Sequence, residues 1–328
     1  MTDDRTKAML WEGPEHIPVT VSILPAAWMK HRERMDEIVQ RHPVLFGPFV
    51  RNRNYDAVHS DTYIYGDHVD EWGCIWRNMH SGREAIVLPP HPVPTREAVR
   101  SLRPPKTDAG FKHGFMYLRL CDLRGFEEVM VDFAEEPPEL QMLIDVVLAH
   151  NLRQARLALA KDSTPGRIVG FGDDLGMQRS LPMSPQKWRK YLKPCFAAIY
   201  KLFRDAGQYV YMHTDGHIIE IIPDLIDCGV NVVNPQVRAN GLAELAKVCK
   251  GKVCVCLDLD RQMFPFCTPA DIDAHVREAV QALGDPSGGL WLLAEVGDDV
   301  PLENVEAICQ ALEKYRGYFS GRKVSAPA

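Results

Sequence analysis

The chain has 328 residues, 46% of them hydrophobic, with 38 Lys+Arg against 44 Asp+Glu and a formal net charge of −6. The charges are spread without long blocks, which argues against nucleic-acid and membrane-surface binding, and no segment approaches the roughly 20 apolar residues of a membrane span. Nine cysteines without a CxxC pair or a paired spacing, and an N-terminus lacking a signal-peptide core, point to a soluble, cytoplasmic protein rather than a secreted disulfide scaffold.

Residues 1 to about 110 read as irregular and rich in Pro, His and aromatic side chains. Val19-Thr-Val-Ser-Ile23 reads as a first strand, Trp28 to Gln40 as a helix, and Asp70-Glu-Trp-Gly-Cys-Ile-Trp76 as part of a hairpin. The prolines from Pro89 to Pro105 mark a non-helical connection. This portion is expected to build a lid and a substrate wall, with Tyr63, Tyr65, Trp72, Trp76, Phe115 and Tyr117 as candidates for a slot around a flat ring. Ordinary core packing is the competing reading of each of these residues.

From Pro137 the pattern becomes regular. Glu139 to Ala160 has apolar residues at helical spacing, Ser184-Pro185 and Thr268-Pro269 read as N-caps followed by a first-turn proline, and Pro301 opens a last helix. Between the helices lie five short apolar runs with polar endings. Arg167 to Phe171 runs into Gly172-Asp173-Asp174, and Tyr209 to Met212 into His213-Thr-Asp215-Gly216. Val230 to Val233 runs into Asn234-Pro-Gln236, Val253 to Leu257 into Asp258, and Leu290 to Ala294 into Glu295.

Continuous apolar strands alternating with amphipathic helices are what a parallel α/β sheet requires, because crossover helices cover both of its faces. The natural closed form is a (β/α)8 TIM barrel, spanning residues 1–320 as one domain with a loose tail at 321–328. Polar residues at successive strand ends are then the floor of an active site. Of Asp173 and Asp174, one is expected to cap the following segment and one to face the site. Asp258 and Asp260 flank Leu259 and are expected to point one way, with Arg261 able to neutralise one of them. Gly288-Gly289 precedes a strand and reads as a tight turn, and most cysteines as buried small hydrophobes.

Several of these segments, in order and spacing, resemble the uroporphyrinogen decarboxylase superfamily over roughly residues 125 to 316. They are Asp173-Asp-Leu-Gly-Met-Gln178 before Ser184-Pro185, His213-Thr-Asp-Gly216, Ile222-Pro-Asp-Leu-Ile-Asp-Cys-Gly229, Asn234-Pro-Gln236, Asp260-Arg-Gln262, Thr268-Pro269 and Pro301-Leu-Glu-Asn304. The resemblance implies the same barrel with its site at the strand C-termini, and a homodimer. It also implies a choice between two chemistries.

Cofactor-free decarboxylases of this superfamily hold a polyanionic substrate with arginines in an N-terminal Met-Arg-Gln-Ala-Gly-Arg type segment. Here the nearest counterpart is Trp28-Met-Lys-His-Arg32-Glu-Arg34, and a mouth carrying Asp173, Asp174, Asp215, Asp258, Asp260 and Glu295 repels a polyanion. The other branch moves methyl groups between a substrate and a corrinoid protein, and its thiol-methylating members hold zinc with a His-x-Cys pair and a later Cys. The chain departs from this pattern, with His213 in the first position, Asp215 in the second and Glu295 near the third. Zinc accepts such ligands, and a harder, oxygen-rich site suits Lewis-acid activation of an ether oxygen.

The resemblance therefore implies an O-demethylase that passes a methyl group from a methoxylated, aromatic compound to a separate corrinoid protein. No Asp-x-His-x-x-Gly corrinoid module is visible, so cobalamin is expected on a partner protein. The candidate catalytic residues are Asp174, His213, Asp215 and Asp260; the candidate substrate contacts are Trp72, Tyr117, Gln178, Asn234 and Gln236; the candidate zinc ligands are His213, Asp215 and Glu295. A cofactor-free decarboxylase is the alternative.

Overall fold

The computed structural model describes residues 3–321 apart from 59 and 109, so the expected tail lies, beyond residue 321, outside them. Its strands in chain order are β1 (Val19–Ile23), β2 (Gly66–Val69), β3 (Ile75–Asn78), β4 (Ile86–Leu88), β5 (Ile168–Gly172), β6 (Tyr209–Thr214), β7 (Val230–Pro235), β8 (Cys254–Asp258) and β9 (Leu290–Val296). The first strand and all five apolar runs anticipated from the sequence are present, with ends shifted by one or two residues. The chain divides into two compact units.

The first unit contains the described parts of Met1–Tyr65, Asn78–Glu84 and Pro235–Ala328. Its strands lie in the order β1-β9-β8 and run parallel, with Ser22 opposite Glu295 and Asp258 opposite Leu293. All five residues of β8 are buried, as expected of a parallel strand covered on both faces. Helices Pro269–Leu283 and Leu302–Arg316 pack beside one another, and the first opens on a full capping box between Thr268 and Asp271. Gly288 and Gly289 turn the chain into β9 at φ 137° and 83°, against the backbone of Ala8 and the ring of Trp11.

The helix expected from Trp28 to Gln40 is broken in two, Pro25–His31 and Glu33–Arg41. The break is Arg32, at φ 47°, whose guanidinium is held by Asp56 at 3.0 Å and lies over the ring of Tyr55. Helical periodicity alone carries no sign of a tertiary partner that holds one residue out of the helix.

The second unit contains the described parts of Gly66–Arg77 and Ala85–Asn234. Here β5 and β6 pair in parallel, with Gly172 opposite His213, and β7 lies on the other side of β6. Phe111, Phe115, Phe171 and Phe203 form a cluster of edge-to-face rings beneath the strand ends, with Phe196 and Tyr200 beside them. The expected hairpin is present: β2, β3 and β4 form a small sheet whose first turn is closed by Asp70 and Cys74. Helix Pro138–Lys161 matches the expected Glu139–Ala160, and Ser184 caps the helix that follows it by accepting from the Lys187 amide.

The parallel strands expected from the sequence are β1 and β5 to β9; the other three among the described residues belong to the small sheet. This is an α/β fold with a parallel sheet, and an eight-stranded closed barrel needs two further strands. Among the described residues, no helix is long and apolar enough to cross a membrane.

In the second unit, helix Tyr117–Arg124 is braced by an ionic group with little solvent around it. Arg119 donates to Asp70 at 2.6 Å, and Asp70 also accepts from the Trp76 indole and the Trp72 and Cys74 amides. Asp122 stands 3.6 Å from the same guanidinium. Burial, reinforced by the negative charge of Asp70 and only partly offset by Arg119, pushes the Asp122 carboxyl up to about 7. A carboxyl raised above its unfolded value contributes stability that is complete below about pH 4 and lost as pH rises through 7. Asp122→Asn is therefore expected to remove a loss on the order of 3 kcal/mol between pH 5 and pH 8. Urea unfolding of both proteins at the two pH values checks this, and parallel pH dependence in parent and variant would contradict it.

Candidate active site

The end of β5 is held by a carboxylate that solvent does not reach. Asp173 is 0% exposed and accepts from the amides of Met116, Tyr117 and Leu118 at 3.0, 2.6 and 2.9 Å. Those are the unpaired donors at the start of helix Tyr117–Arg124, where a negative charge is favoured. Burial lifts the Asp173 carboxyl, and the amides oppose the shift. One aspartate of the pair does cap a helix, but the helix precedes it in the chain rather than following it.

Beyond the strands, residues 173–177 and 213–217 continue side by side. Asp173 N donates to His213 O at 3.1 Å, Leu175 N to Thr214 Oγ1 at 2.9 Å, Gly176 N to Asp215 O at 3.1 Å and His217 N to Met177 O at 2.8 Å. The two loops touch at Gly176 and Gly216, where a Cβ on Gly216, already at φ 82°, would lie 2.3 Å from the Gly176 carbonyl.

This frame brings four ionisable side chains together. Asp174 accepts from the Asp215 amide on Oδ1 at 3.0 Å and faces His113 Nε2 with Oδ2 at 3.1 Å. His213 places Nδ1 2.8 Å from Asn234 Oδ1 and Nε2 3.3 Å from Asp215 Oδ1. The imidazoles of His113 and His213 lie 5.6 Å apart. One ligand atom each from His113, Asp174 and His213 lies within 4.8 Å of the others, so these three can hold a metal ion. The side chains of His113, Asp174, His213 and Asp215 are 40%, 29%, 27% and 28% exposed, so a small molecule can reach them.

Charge here is shared between rings and carboxylates. Burial works against a proton on His213, yet the Asp215 carboxylate, Asn234 and Asp174 together raise its value to about 9. Burial likewise opposes a charged His113, and Asp174 outweighs it; the same contact holds Asp174 below its usual range against the effect of burial.

The sequence candidates fall into three groups. Asp174, His213, Asp215 and Asn234 come together as described, and Asn234 also accepts from the Tyr211 hydroxyl at 2.7 Å. Gln178 is exposed on the loop that leaves Gly176. Trp72 and Tyr117 are buried in the same unit, Trp72 edge-on to His150 and Tyr117 at the helix start that Asp173 caps.

Three candidates belong to the first unit. Glu295 at the end of β9 pairs with Arg261, and Asp260 accepts from Arg238 at 2.7 Å. Arg261, expected to neutralise Asp258 or Asp260, also reaches the carboxylate of Glu295. Gln236 carries the backbone carbonyl that receives the Asn240 amide. His113 escaped sequence reading because its partner Asp174 is 61 residues away and no metal-ligand spacing surrounds it. The remaining signal is Gly172 opposite, which leaves room for the ring.

A protein-family comparison settles the lineage. Residues 119–315 match the model described as Uroporphyrinogen decarboxylase (URO-D), more than half of the chain. The chain belongs to the uroporphyrinogen decarboxylase family. Of solved structures, a methyltransferase from Methanosarcina mazei is similar to this family member at a TM-score of 0.62 and 18% identity, over 95% of this chain and 98% of that one. A dihydropteroate synthase from Xanthomonas albilineans matches at a TM-score of 0.32 and 15% identity, over 56% of this chain and 70% of that one. A D-psicose 3-epimerase matches at 0.34 and 12% identity, over 55% and 73%. The last two likenesses are too weak to inform the function. No curated protein matches the chain.

The contact between Gly176 and Gly216 yields a stability test. Gly216→Ala is expected to cost about 2–4 kcal/mol, the sum of a left-handed non-glycine residue and overpacking against backbone. Gly241, at φ 74° with nothing within 4 Å of where a methyl would sit, serves as the control and is expected to lose less on substitution by Ala. Equal losses in urea unfolding would mean that the close approach is not what requires glycine.

Proposed function

We propose that this member of the uroporphyrinogen decarboxylase family is a methyltransferase that takes the methyl group of a methoxylated aromatic compound and passes it to a separate corrinoid protein. The reading includes a (β/α)8 barrel whose mouth holds the site. The observation that carries it is His213-x-Asp215 at the end of β6, where thiol-methylating relatives carry His-x-Cys, with the ring set between two oxygen acceptors. The similarity in fold to a methyltransferase over nearly the whole of both chains supports the same branch.

An aryl or alkyl ether gives up its methyl group only if the oxygen left behind is relieved of charge as the C–O bond breaks. The chain meets that need at His213. Asn234 and Asp215 orient the ring, Asp215 favours its protonated form, and Nε2 is the atom that faces the open cluster. Asp174 ties the loop of Asp215 to β5 by accepting its amide, so the acid and its partner move as one piece. When bound, the partner's corrinoid supplies a cobalt(I) nucleophile for the methyl carbon. A zinc-class ion at the same cluster would supply Lewis acidity to the ether oxygen in place of that proton, with His213 Nε2 then deprotonated and free to ligate. His213 and Asp215 fit such an ion as N and O donors; Glu295, the third ligand expected from the sequence, is engaged by Arg261.

The decarboxylase alternative requires cationic side chains for a polyanion. Arg119 and Arg124, in the helix that Asp173 caps, are instead buried on Asp70 and Asp132. Methyl transfer is tested by mixing the protein with a cobalt(I) corrinoid protein and a panel of methoxyarenes, and following the corrinoid absorbance as cobalt(I) is consumed. His213→Ala is expected to slow the reaction by about 10²-fold or more and Asp215→Asn by about tenfold. Turnover of a porphyrinogen carboxylate, with cobalt(I) untouched by every methoxyarene, would overturn the reading.

A further inference from the structure

We propose that His113, Asp174 and His213 bind one divalent cation of the zinc class, in a site of two nitrogens and one oxygen. The inference deepens the methyl-transfer reading by naming the chain's own ligands, and it replaces Asp215 and Glu295 in the set expected from the sequence. It stands on geometry. In tetrahedral zinc sites with bonds of about 2.0–2.1 Å, ligand atoms lie about 3.3 Å from one another. His113 Nε2 and Asp174 Oδ2 are already 3.1 Å apart, and all three donors lie within 4.8 Å. Closing the site takes a shift of roughly 1.5 Å in one ring, within reach of a side-chain torsion. The fourth position then faces the open side of the cluster.

The third ligand is seated rather than merely nearby. A Cβ on Gly172 would come within 2.5 Å of His113 Nδ1, so the imidazole occupies space that only glycine leaves. Gly114 N donates to Gly172 O at 2.8 Å and fixes the backbone beside the ring. Further back, Arg153 donates to the Lys106 and Thr107 carbonyls, and the buried Gln154 holds Thr107 O and Gly110 N. The segment that carries His113 is therefore pinned to helix Pro138–Lys161 at one end and to β5 at the other.

The other two ligands have the outer contacts that metal ligands use. Asn234 Oδ1 accepts from His213 Nδ1, which leaves Nε2 toward the cluster, and the Asp215 amide occupies Asp174 Oδ1, which leaves Oδ2. Asp215 Oδ1, 3.3 Å from His213 Nε2, adds negative charge beside the cation without being required as a ligand.

Zinc content of the purified protein after dialysis against zinc, and competition with a chromophoric chelator, test this without any methyl transfer. About one zinc per chain is expected, with affinity lowered at least about tenfold in His113→Ala and in Asp174→Ala and unchanged in Glu295→Gln. The parent protein titrated with cobalt(II) is expected to develop visible ligand-field bands without thiolate charge transfer, a readout that depends on no variant folding. Absence of both zinc and cobalt bands in the folded parent would overturn the proposal. So would zinc kept by His113→Ala and Asp174→Ala but lost by Asp215→Ala. Zinc bound as described without activity toward any methoxyarene would leave the site standing and refute the methyl-transfer reading alone.

Discussion

Everything at the site hangs on the buried carboxylate of Asp173. A charge taken out of water is tolerated only when donors surround it, and here three amides at the start of helix Tyr117–Arg124 do so. The bond is reciprocal, since those amides would otherwise lack partners inside the fold. It joins the end of β5 to a helix from more than fifty positions earlier in the chain, and the segment between Gly110 and Met116 has to follow. His113 lies on that segment. With Asp173 holding one side and the β6 backbone the other, the next residue, Asp174, has little freedom except to point at His113 and the Asp215 amide.

The helix that receives Asp173 is itself anchored by the Arg119, Asp70 and Asp122 group. One guanidinium faces two carboxylates there, and only Asp70 has enough other donors to stay charged easily. The second carboxylate therefore takes up a proton in the neutral range. Rigidity near the site is thus tied to an ionic group whose balance shifts over ordinary working pH.

Much of this was legible in the sequence, for reasons that also mark where legibility stops. Parallel strands are buried on both faces, so β5 to β9 stand out as apolar runs, and the polar residue that ends each run is visible at once. His213 and Asp215 could be found because a strand places them two residues apart on one end. Local caps such as Ser184 and Thr268 could be read because donor and acceptor are three residues apart. The contacts that failed to show are those between distant segments. Asp173 caps an earlier helix, Arg32 leaves its helix for Asp56, and Arg261 reaches Glu295, 34 residues further on. His113 belongs to the same class: its role depends on a glycine across the sheet end, not on anything within its own segment.

The cysteines have a consequence for the chemistry of the whole chain. All nine are free, eight of them buried, and burial pushes the thiols of Cys195, Cys228, Cys249 and Cys309 up to about 12; Cys267, the half-exposed one, is raised too. At neutral pH such sulfurs stay protonated and are poor at capturing soft metals. With eight of its nine thiols buried and protonated, the chain leaves nitrogen and oxygen donors as the ligands its site offers a metal. Among the cysteines, a thiol-directed reagent should therefore meet Cys267 first, with the eight buried thiols reacting only as the fold opens.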